Sequence, residues 1–259
     1  VTGMKRAAYF LKQPEKPKEE EVKKYLSCLE KRSLHIPVQY ITGEQEFMGL
    51  SFYVDENVLI PRQDTEVLVE TVLPYVKGKK ILDMCTGSGC IAVSLAVLGS
   101  PEVCVAADIS TAALEVAKRN AVRNKADVSF VESDLFEDVT EVFDIMISNP
   151  PYIPSETVEG LMEEVKFHEP RLALEGGTDG LMFYRRIIKE SSVCLAENGM
   201  LFFEIGCEQA EQVMLLMQDA GFHKVTVKKD YAGLDRVVFG QKKMHKERVQ
   251  MEGEKCLTD

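Results

Sequence analysis

The sequence predicts an α/β fold, a doubly wound and mostly parallel sheet of seven strands with an antiparallel end. Three observations predict it. From Pro61 onward, short apolar runs rich in Val and Ile alternate with stretches whose apolar residues recur at helical spacing. A glycine-rich loop, Gly87-Ser88-Gly89, follows directly on the first of those runs. The last two apolar runs, 223–228 and 236–239, lie too close together for a helical crossover, so they pair antiparallel.

Each element has its own justification. The strands are expected at 80–84, 103–107, 128–131, 143–148 and 200–205, then at 223–228 and 236–239. Helices are expected at 65–76, 91–98, 112–124, 181–195 and 209–220, with Gly99 and Gly221 as stop signals. Ahead of this region, residues 46–60 alternate apolar and polar at Phe52, Val54, Val58 and Ile60, with Asp55-Glu56-Asn57 between, which reads as a β-hairpin linker. Residues 1–45 are Lys- and Glu-rich. Val22, Tyr25, Leu26 and Leu29 suit one amphipathic helix, separated from what precedes it by Pro14 and Pro17. That is too little apolar material for an independent core, so this segment reads as a small helical domain capping the main domain, 61–240. A polar tail, 241–259, has no periodicity. A start at Val1 instead of Met suggests a fragment or a processed chain.

Of 259 residues, 45% are hydrophobic and 28% charged, which fits one large globular domain with a smaller partner. No apolar run approaches the roughly 18 residues of a membrane span, and no signal peptide opens the chain. The seven cysteines (28, 85, 90, 104, 194, 207 and 256) have no metal-like spacing and read as free thiols in a reducing compartment. The formal net charge of −11 argues against sequence-independent binding to a phosphate backbone. Residues 1–46 hold nine Lys and Arg against seven Asp and Glu, a bias that suits a solvated helical face.

The chemistry concentrates at strand ends. Asn149-Pro150-Pro151-Tyr152 follows the run 143–148. Two prolines fix φ and donate no N–H, so the turn is stiff. An Asn oxygen beside a proline carbonyl makes two acceptors for one planar NH2 group, and Tyr152 adds a ring face. The bland alternative is an Asn that bonds only its own backbone. Gly87 to Ala92 match the G-x-G-x-x-A phosphate fingerprint, and Asp108 follows Gly89 by 19 residues, a spacing suited to a carboxylate that accepts from ribose hydroxyls. This loop fits either NAD, with its pyrophosphate over a helix N-terminus, or S-adenosylmethionine. Asp83, at the end of the first strand, favours the second ligand, because a carboxylate repels a pyrophosphate and attracts a sulfonium or ammonium. Its alternative role is to cap the loop. Asp134, in Ser133-Asp134-Leu135-Phe136, lies where an adenine would rest.

Together these segments resemble the class I S-adenosylmethionine-dependent methyltransferases, a Rossmann-like fold. More narrowly they resemble the HemK/PrmC family of release-factor glutamine N5-methyltransferases. The likeness rests on the strand-Asp83-x-Cys85-Thr86-Gly87-Ser88-Gly89 loop, Asp108, Asp134-Leu135 and Asn149-Pro150-Pro151-Tyr152-Ile153. It includes Ile60-Pro61-Arg62 with Thr65-Glu66, His168-Glu169-Pro170-Arg171, Gly176-Gly177-Thr178-Asp179-Gly180, Glu204-Ile205-Gly206 and Asp230 to Arg236. It spans roughly 34–240. The chain departs from the family pattern at Cys85, where a glycine is often present, and at Gln63-Asp64, which replaces a Pro-Glu pair. Its helical domain is also shorter, which adds to the expectation of a truncated start.

The resemblance implies methyl transfer from S-adenosylmethionine to the Gln of a Gly-Gly-Gln tripeptide in class I peptide-chain release factors, leaving S-adenosylhomocysteine. Asp83, Cys85, Thr86, Gly87, Ser88, Gly89, Asp108, Asp134, Leu135 and Asn149 would hold the cofactor. Asn149, Pro150, Pro151 and Tyr152 would bind substrate, with Asn149, Pro150 and Tyr152 catalytic. The Asn149 oxygen and the Pro150 carbonyl would each accept one amide hydrogen. No metal is implied. The partner would be the release factor alone, with no direct nucleic acid and no membrane, and the enzyme would be a cytoplasmic monomer. Positioning can supply about 7–11 kcal/mol of the barrier, so no strong general base is needed. The alternatives are a DNA or RNA amino-methyltransferase acting on adenine N6 or guanine N2 through the same turn, an NAD-dependent oxidoreductase, and a binding module without catalysis.

Overall fold

The computed structural model describes residues 6–11 and 16–243. The cap contributes α1 (Arg6–Leu11), α2 (Glu19–Ser33) and α3 (Val38–Thr42). Val22, Tyr25, Leu26 and Leu29 do fall on α2, but they remain 38–54% exposed and α2 buries no residue. The end of α2 is tied to the main domain by polar contacts instead. Arg32 pairs with Glu164, His35 with Glu163 at 3.2 Å, and a His168 ring nitrogen lies 3.0 Å from the Leu34 carbonyl.

A hairpin follows, but not where the alternation placed it. Its strands are β1 (Glu44–Phe47) and β2 (Leu50–Tyr53), paired through Phe47 and Leu50. The turn is therefore Met48-Gly49, both with positive φ (51° and 72°), as a two-residue hairpin loop requires. Met is not a residue that signals such a turn. Its left-handed backbone is held by Glu66, whose carboxylate accepts from Met48 N at 2.6 Å. Asp55-Glu56-Asn57 is not the hairpin turn. There Asp55 accepts from Asn57 N at 3.0 Å, bending an extended connector.

The main domain runs α4 (Gln63–Val72), β3 (Lys80–Met84), α5 (Cys90–Gly99), β4 (Val103–Asp108), α6 (Thr111–Asn124), β5 (Ser129–Glu132) and β6 (Phe143–Ser148). It continues α7 (Ser155–Val158), α8 (Glu163–His168), α9 (Met182–Cys194), β7 (Leu195–Glu204), α10 (Ala210–Asp219), β8 (Phe222–Lys229) and β9 (Asp235–Lys242). The seven-stranded sheet has the order β5-β4-β3-β6-β7-β9-β8. All neighbours are parallel except β9, which is antiparallel to β7 and β8. This is the expected fold class.

Two differences have simple causes. β7 begins at Leu195, five residues before the expected start, because Leu195 pairs with Phe143 while the polar Glu197-Asn198-Gly199 interrupts the apolar pattern. β9 reaches Lys242, so 241 and 242 belong to the sheet; the rest of the expected polar tail, from 244, lies outside the described residues.

Alternation along the strands sends side chains to two cores. Ile81, Ile145 and Ile147 face one layer, with α4 and α5; Leu82, Met84 and Met146 face the other, with α9 and α10. Phe202 and Phe239 stack across β7 and β9 with centroids 5.0 Å apart. Full burial of a Phe of this kind is worth about 1.5–3 kcal/mol. The sheet is thereby rigid, and its parallel strands β3, β4, β5 and β6 all deliver their C-terminal ends to one rim.

Candidate active site

Along that rim lies a cavity of about 1160 Å³, its open mouth included, and beside it a second of about 620 Å³. Cys85, Thr86, Gly87, Ser88, Asp108, Asp134, Leu135, Asn149 and Pro151 line the first; Pro150, Tyr152 and Glu204 line the second. Asn149 lines both, as do Leu59, Arg62 and Ala173.

The glycine loop is built from beneath. Asp83 is fully buried and lines neither cavity; its Oδ2 accepts from the Thr86 hydroxyl at 2.6 Å and from Ala92 N at 3.1 Å. Burial pushes its carboxyl up to about 7, against the Thr86 and Ala92 donors that favour the anion. Asp83 thus stands as the loop's brace rather than on its surface. Gly89 (φ +78°) also lies below the cavity wall, where a Cβ would meet the Ala117 Cβ at 3.0 Å. Gly87 (φ +54°) has nothing within 4 Å of an added Cβ, so the space over it is open. Cys85 adopts φ +62°. A glycine takes that conformation freely, whereas a side chain there costs roughly 1–2 kcal/mol. Its thiol is pushed up by burial, then by Asp108.

Asp108 caps the next strand. Its two oxygens accept from Gly87 N at 2.8 Å and Ser110 N at 2.9 Å, and its carboxyl is raised by burial. A carboxylate has about four acceptor positions, and Asp108 lines the cavity, so it retains accepting capacity for a ligand there. Asp134 forms a 3.0 Å ion pair with Arg186 of α9, which also lines the cavity. Leu135 (φ +53°) presents an apolar wall. These residues fit an S-adenosyl ligand: an open cradle over Gly87, a carboxylate for paired hydroxyls and an apolar shelf at Leu135.

The Asn149 turn is clamped on its outer side. Ile153 N donates to the Leu174 carbonyl at 2.9 Å, and Gly176 N to the Ile153 carbonyl at 2.8 Å. Gln209 Nε2 donates to the Tyr152 carbonyl at 3.0 Å and to the Gly180 carbonyl at 3.3 Å. Asn149 Nδ2 donates to the Thr65 hydroxyl at 3.4 Å, and the Tyr152 hydroxyl donates to Glu204 at 3.4 Å. Among the described residues no hydrogen bond reaches the Pro150 carbonyl, so it remains a free acceptor. Tyr152 is half-buried against the core, and its hydroxyl is pushed up by burial, then by Glu204.

Reading along the chain missed several contributors. Arg62 lines both cavities and pairs with Glu169, which is buried and also accepts from Ile60 N at 3.4 Å. Asp64 pairs with Arg236 at 3.2 Å, and Arg236 with Asp230 at 3.1 Å. Ion pairs give the short segments Pro61-Arg62, His168-Glu169 and Asp230 to Arg236 a structural role. His168 sits at the cap contact and lines neither cavity.

A methyltransferase small domain model matches residues 62–177, and the N-terminal domain of PrmC matches residues 1–43. The release factor glutamine methyltransferase of Clostridium acetobutylicum is 42% identical over 228 residues, covering 85% of this chain and 80% of the relative. This chain belongs to the release factor glutamine methyltransferase family. The family member from Bacillus cereus is 39% identical over 251 residues, covering 93% of this chain and 89% of its own. The fold of this family member is shared more widely. A methyltransferase from Pyrococcus furiosus superposes with a TM-score of 0.59 at 17% identity, over 76% of this chain and 91% of that one. A 16S rRNA N2 methyltransferase of T. thermophilus, solved with AdoMet and guanosine, gives 0.56 at 16% identity, over 77% and 50%.

No helix among the described residues is long and apolar enough to cross a membrane, and no cluster of His, Cys, Asp or Glu among them is arranged to hold a metal.

Proposed function

We propose that this protein transfers a methyl group from S-adenosylmethionine to the side-chain amide nitrogen of the Gln in the Gly-Gly-Gln tripeptide of class I release factors, acting in the cytoplasm as a monomer. One observation carries the reading: Asn149 is a shared wall of two adjoining cavities, one over the glycine loop and one over the Pro-Pro turn. The larger suits the cofactor and the smaller suits a single side-chain amide.

When bound, S-adenosylmethionine supplies a methyl carbon made electrophilic by its sulfonium. Asp108 would accept from ribose hydroxyls, and the open space over Gly87 would admit the nucleoside. Leu135, Asp134 and Arg186, which line the same cavity, would hold the base. The Asn149 oxygen and the Pro150 carbonyl accept the two hydrogens of the substrate amide, holding its plane and its nitrogen in place. As positive charge grows on that nitrogen, both acceptors bind it more strongly, which is differential stabilisation of the transition state.

Radiolabelled methyl transfer tests the reading directly. Label is expected on a class I release factor and absent from its Gln-substituted form, from DNA and from RNA. Label on nucleic acid alone would select the amino-methyltransferase alternative.

Asp108→Ala is expected to weaken S-adenosylmethionine binding by about 1–3 kcal/mol, since two ribose hydroxyls lose a charged acceptor. Isothermal calorimetry reads this directly, and unchanged affinity would remove Asp108 from the cofactor site. The cap is proposed to serve the protein substrate. Because β1 begins at Glu44, removing residues 1–43 leaves the hairpin intact. It is expected to raise the KM for intact release factor about tenfold, one step of roughly 1.4 kcal/mol, with cofactor affinity unchanged. A folded truncated protein that no longer binds cofactor would break this division of labour.

A further inference from the structure

Arg62 lines both cavities, and the mechanism above gives it no task. It stands at the start of α4, directly after Pro61, whose ring fixes the backbone leading into it. One terminal nitrogen, Nη2, pairs with Oε1 of Glu169. The Glu169 side chain is 1% exposed, and its Oε2 accepts from Ile60 N at 3.4 Å. One buried carboxylate therefore grips both the guanidinium and the backbone just before it. A guanidinium carries several N–H donors in a rigid fork. Among the described residues no hydrogen bond engages Nε or Nη1 of Arg62, and 40% of its side chain remains exposed.

Among the described residues, Arg186 is the other cation that lines either cavity, and it is already held by Asp134 at 3.0 Å and Glu190 at 3.5 Å. The two arginines differ in place. Arg186 lines the larger cavity alone, with Asp134 and Leu135, where the base is placed. Arg62 shares with Asn149 the wall between the cavities, where the methyl group must face the substrate amide. The methionine portion of the cofactor is attached to the same sulfur as that methyl, so its α-carboxylate lies a short carbon chain from this junction. In a protein of net charge −11, with Asp108 lining the same cavity, a carboxylate there needs a positive partner. We propose that Arg62 recognises the α-carboxylate of S-adenosylmethionine through the free edge of its guanidinium, and so holds the methionine portion with the methyl toward Asn149. This rests on the reading of the larger cavity as the cofactor site.

The residue type suits the task. A planar fork can give one edge to Glu169 and another to a ligand carboxylate, each in a fixed direction, whereas a Lys ammonium is a point charge without that geometry. The contacts at Asp108 and Leu135 are open to any adenosine compound. Arg62 is the contact that selects a ligand with an intact amino-acid tail. The plainer role for Arg62 is to tie Glu169 to the start of α4 and nothing more. That role affects every ligand of the cavity alike, while recognition affects only ligands that bear the carboxylate.

Calorimetry without release factor tests this. Decarboxylated S-adenosylmethionine differs from the cofactor by that one group. The wild type is expected to bind it about 10- to 100-fold more weakly than S-adenosylmethionine, the size of losing one hydrogen bond to a charged group. Arg62→Met should weaken S-adenosylmethionine by a similar factor and leave the decarboxylated form within about twofold of its wild-type affinity, because the two changes remove one interaction. Arg62→Lys should keep part of the preference, since the charge remains and the fork does not. Arg62→Met leaves Glu169 buried without its cation, which costs stability. Should that variant not fold, Arg62→Lys and the wild-type comparison decide the question by themselves. Equal binding of the two ligands by the wild type would overturn the proposal. So would equal weakening of both in either variant, which leaves Arg62 as a brace. Unchanged cofactor affinity in Arg62→Met with a raised KM for release factor would also overturn it and move Arg62 to the protein substrate. A wild type that binds neither ligand would show instead that the larger cavity is not the cofactor site, and the proposal would fall with that reading.

Discussion

Asn149→Ala is expected to lower kcat on release factor by about 10²–10³, the loss typical of one oriented hydrogen bond at a site of developing charge. The size follows from the cavity geometry. Asn149 sits where the two cavities adjoin, and the free Pro150 carbonyl alone cannot hold both amide hydrogens. The proposed cofactor contacts at Asp108, Gly87 and Leu135 lie on other strand ends, so the dissociation constant for S-adenosylmethionine should change far less than the rate. Asn149→Asp keeps an acceptor and should lose less. Single-turnover methylation with saturating cofactor separates chemistry from binding, and an Asn149→Ala enzyme at near-normal rate would remove the centre of the proposed mechanism.

Gly180→Ala is expected to cost about 10² in kcat without touching any reacting group. Gly180 has φ +74°, and a Cβ there would sit 2.3 Å from the Tyr152 carbonyl oxygen and 2.7 Å from Gln209 Nε2. One of them must move, and both belong to the clamp that holds the Asn149 turn. Displacing a positioning element by about 1 Å costs on the order of 10²-fold in rate. Gly221→Ala is the control. It also has positive φ (+89°) but nothing within 4 Å of an added Cβ. It should lose about 1 kcal/mol of stability through backbone strain and keep its kcat. Thermal melts alongside kinetics distinguish the two, and a folded Gly180→Ala enzyme with normal turnover would show that the clamp is slack.

These two residues also mark how far the sequence could be read. The Asn149 turn was legible because two prolines, a preceding apolar strand and a following aromatic residue all act over four positions. Asp108 was legible because a strand–loop–helix unit fixes its distance from the glycines. Asp83 was read as facing the ligand from charge alone. Whether it points up or down depends on the pleat and on Thr86 and Ala92, which both donate to its Oδ2 below the loop. Arg62 with Glu169, and Asp64 with Arg236, are pairs more than a hundred residues apart in sequence. No local period or spacing connects them, and only the order of strands brings them together. The Met48-Gly49 turn was hidden for a different reason: a remote carboxylate, Glu66, supports a backbone that the local residues do not announce.

The strand order has a consequence for synthesis on the ribosome. Among the described residues β9 is the last strand made, yet it lies between β7 and β8. Until it emerges, the nascent chain carries β7 with an open edge and the Phe202 ring without its stacking partner Phe239. Exposed edges of this kind recruit other strands. Arg236, which pairs with Asp64 close to Glu204, arrives on the same strand. The rim around Asn149 is therefore completed only after Arg236 has left the exit tunnel, some ninety residues behind Asn149 itself, so in an enzyme that modifies the termination machinery the reacting turn is made well before the strand that finishes its surroundings.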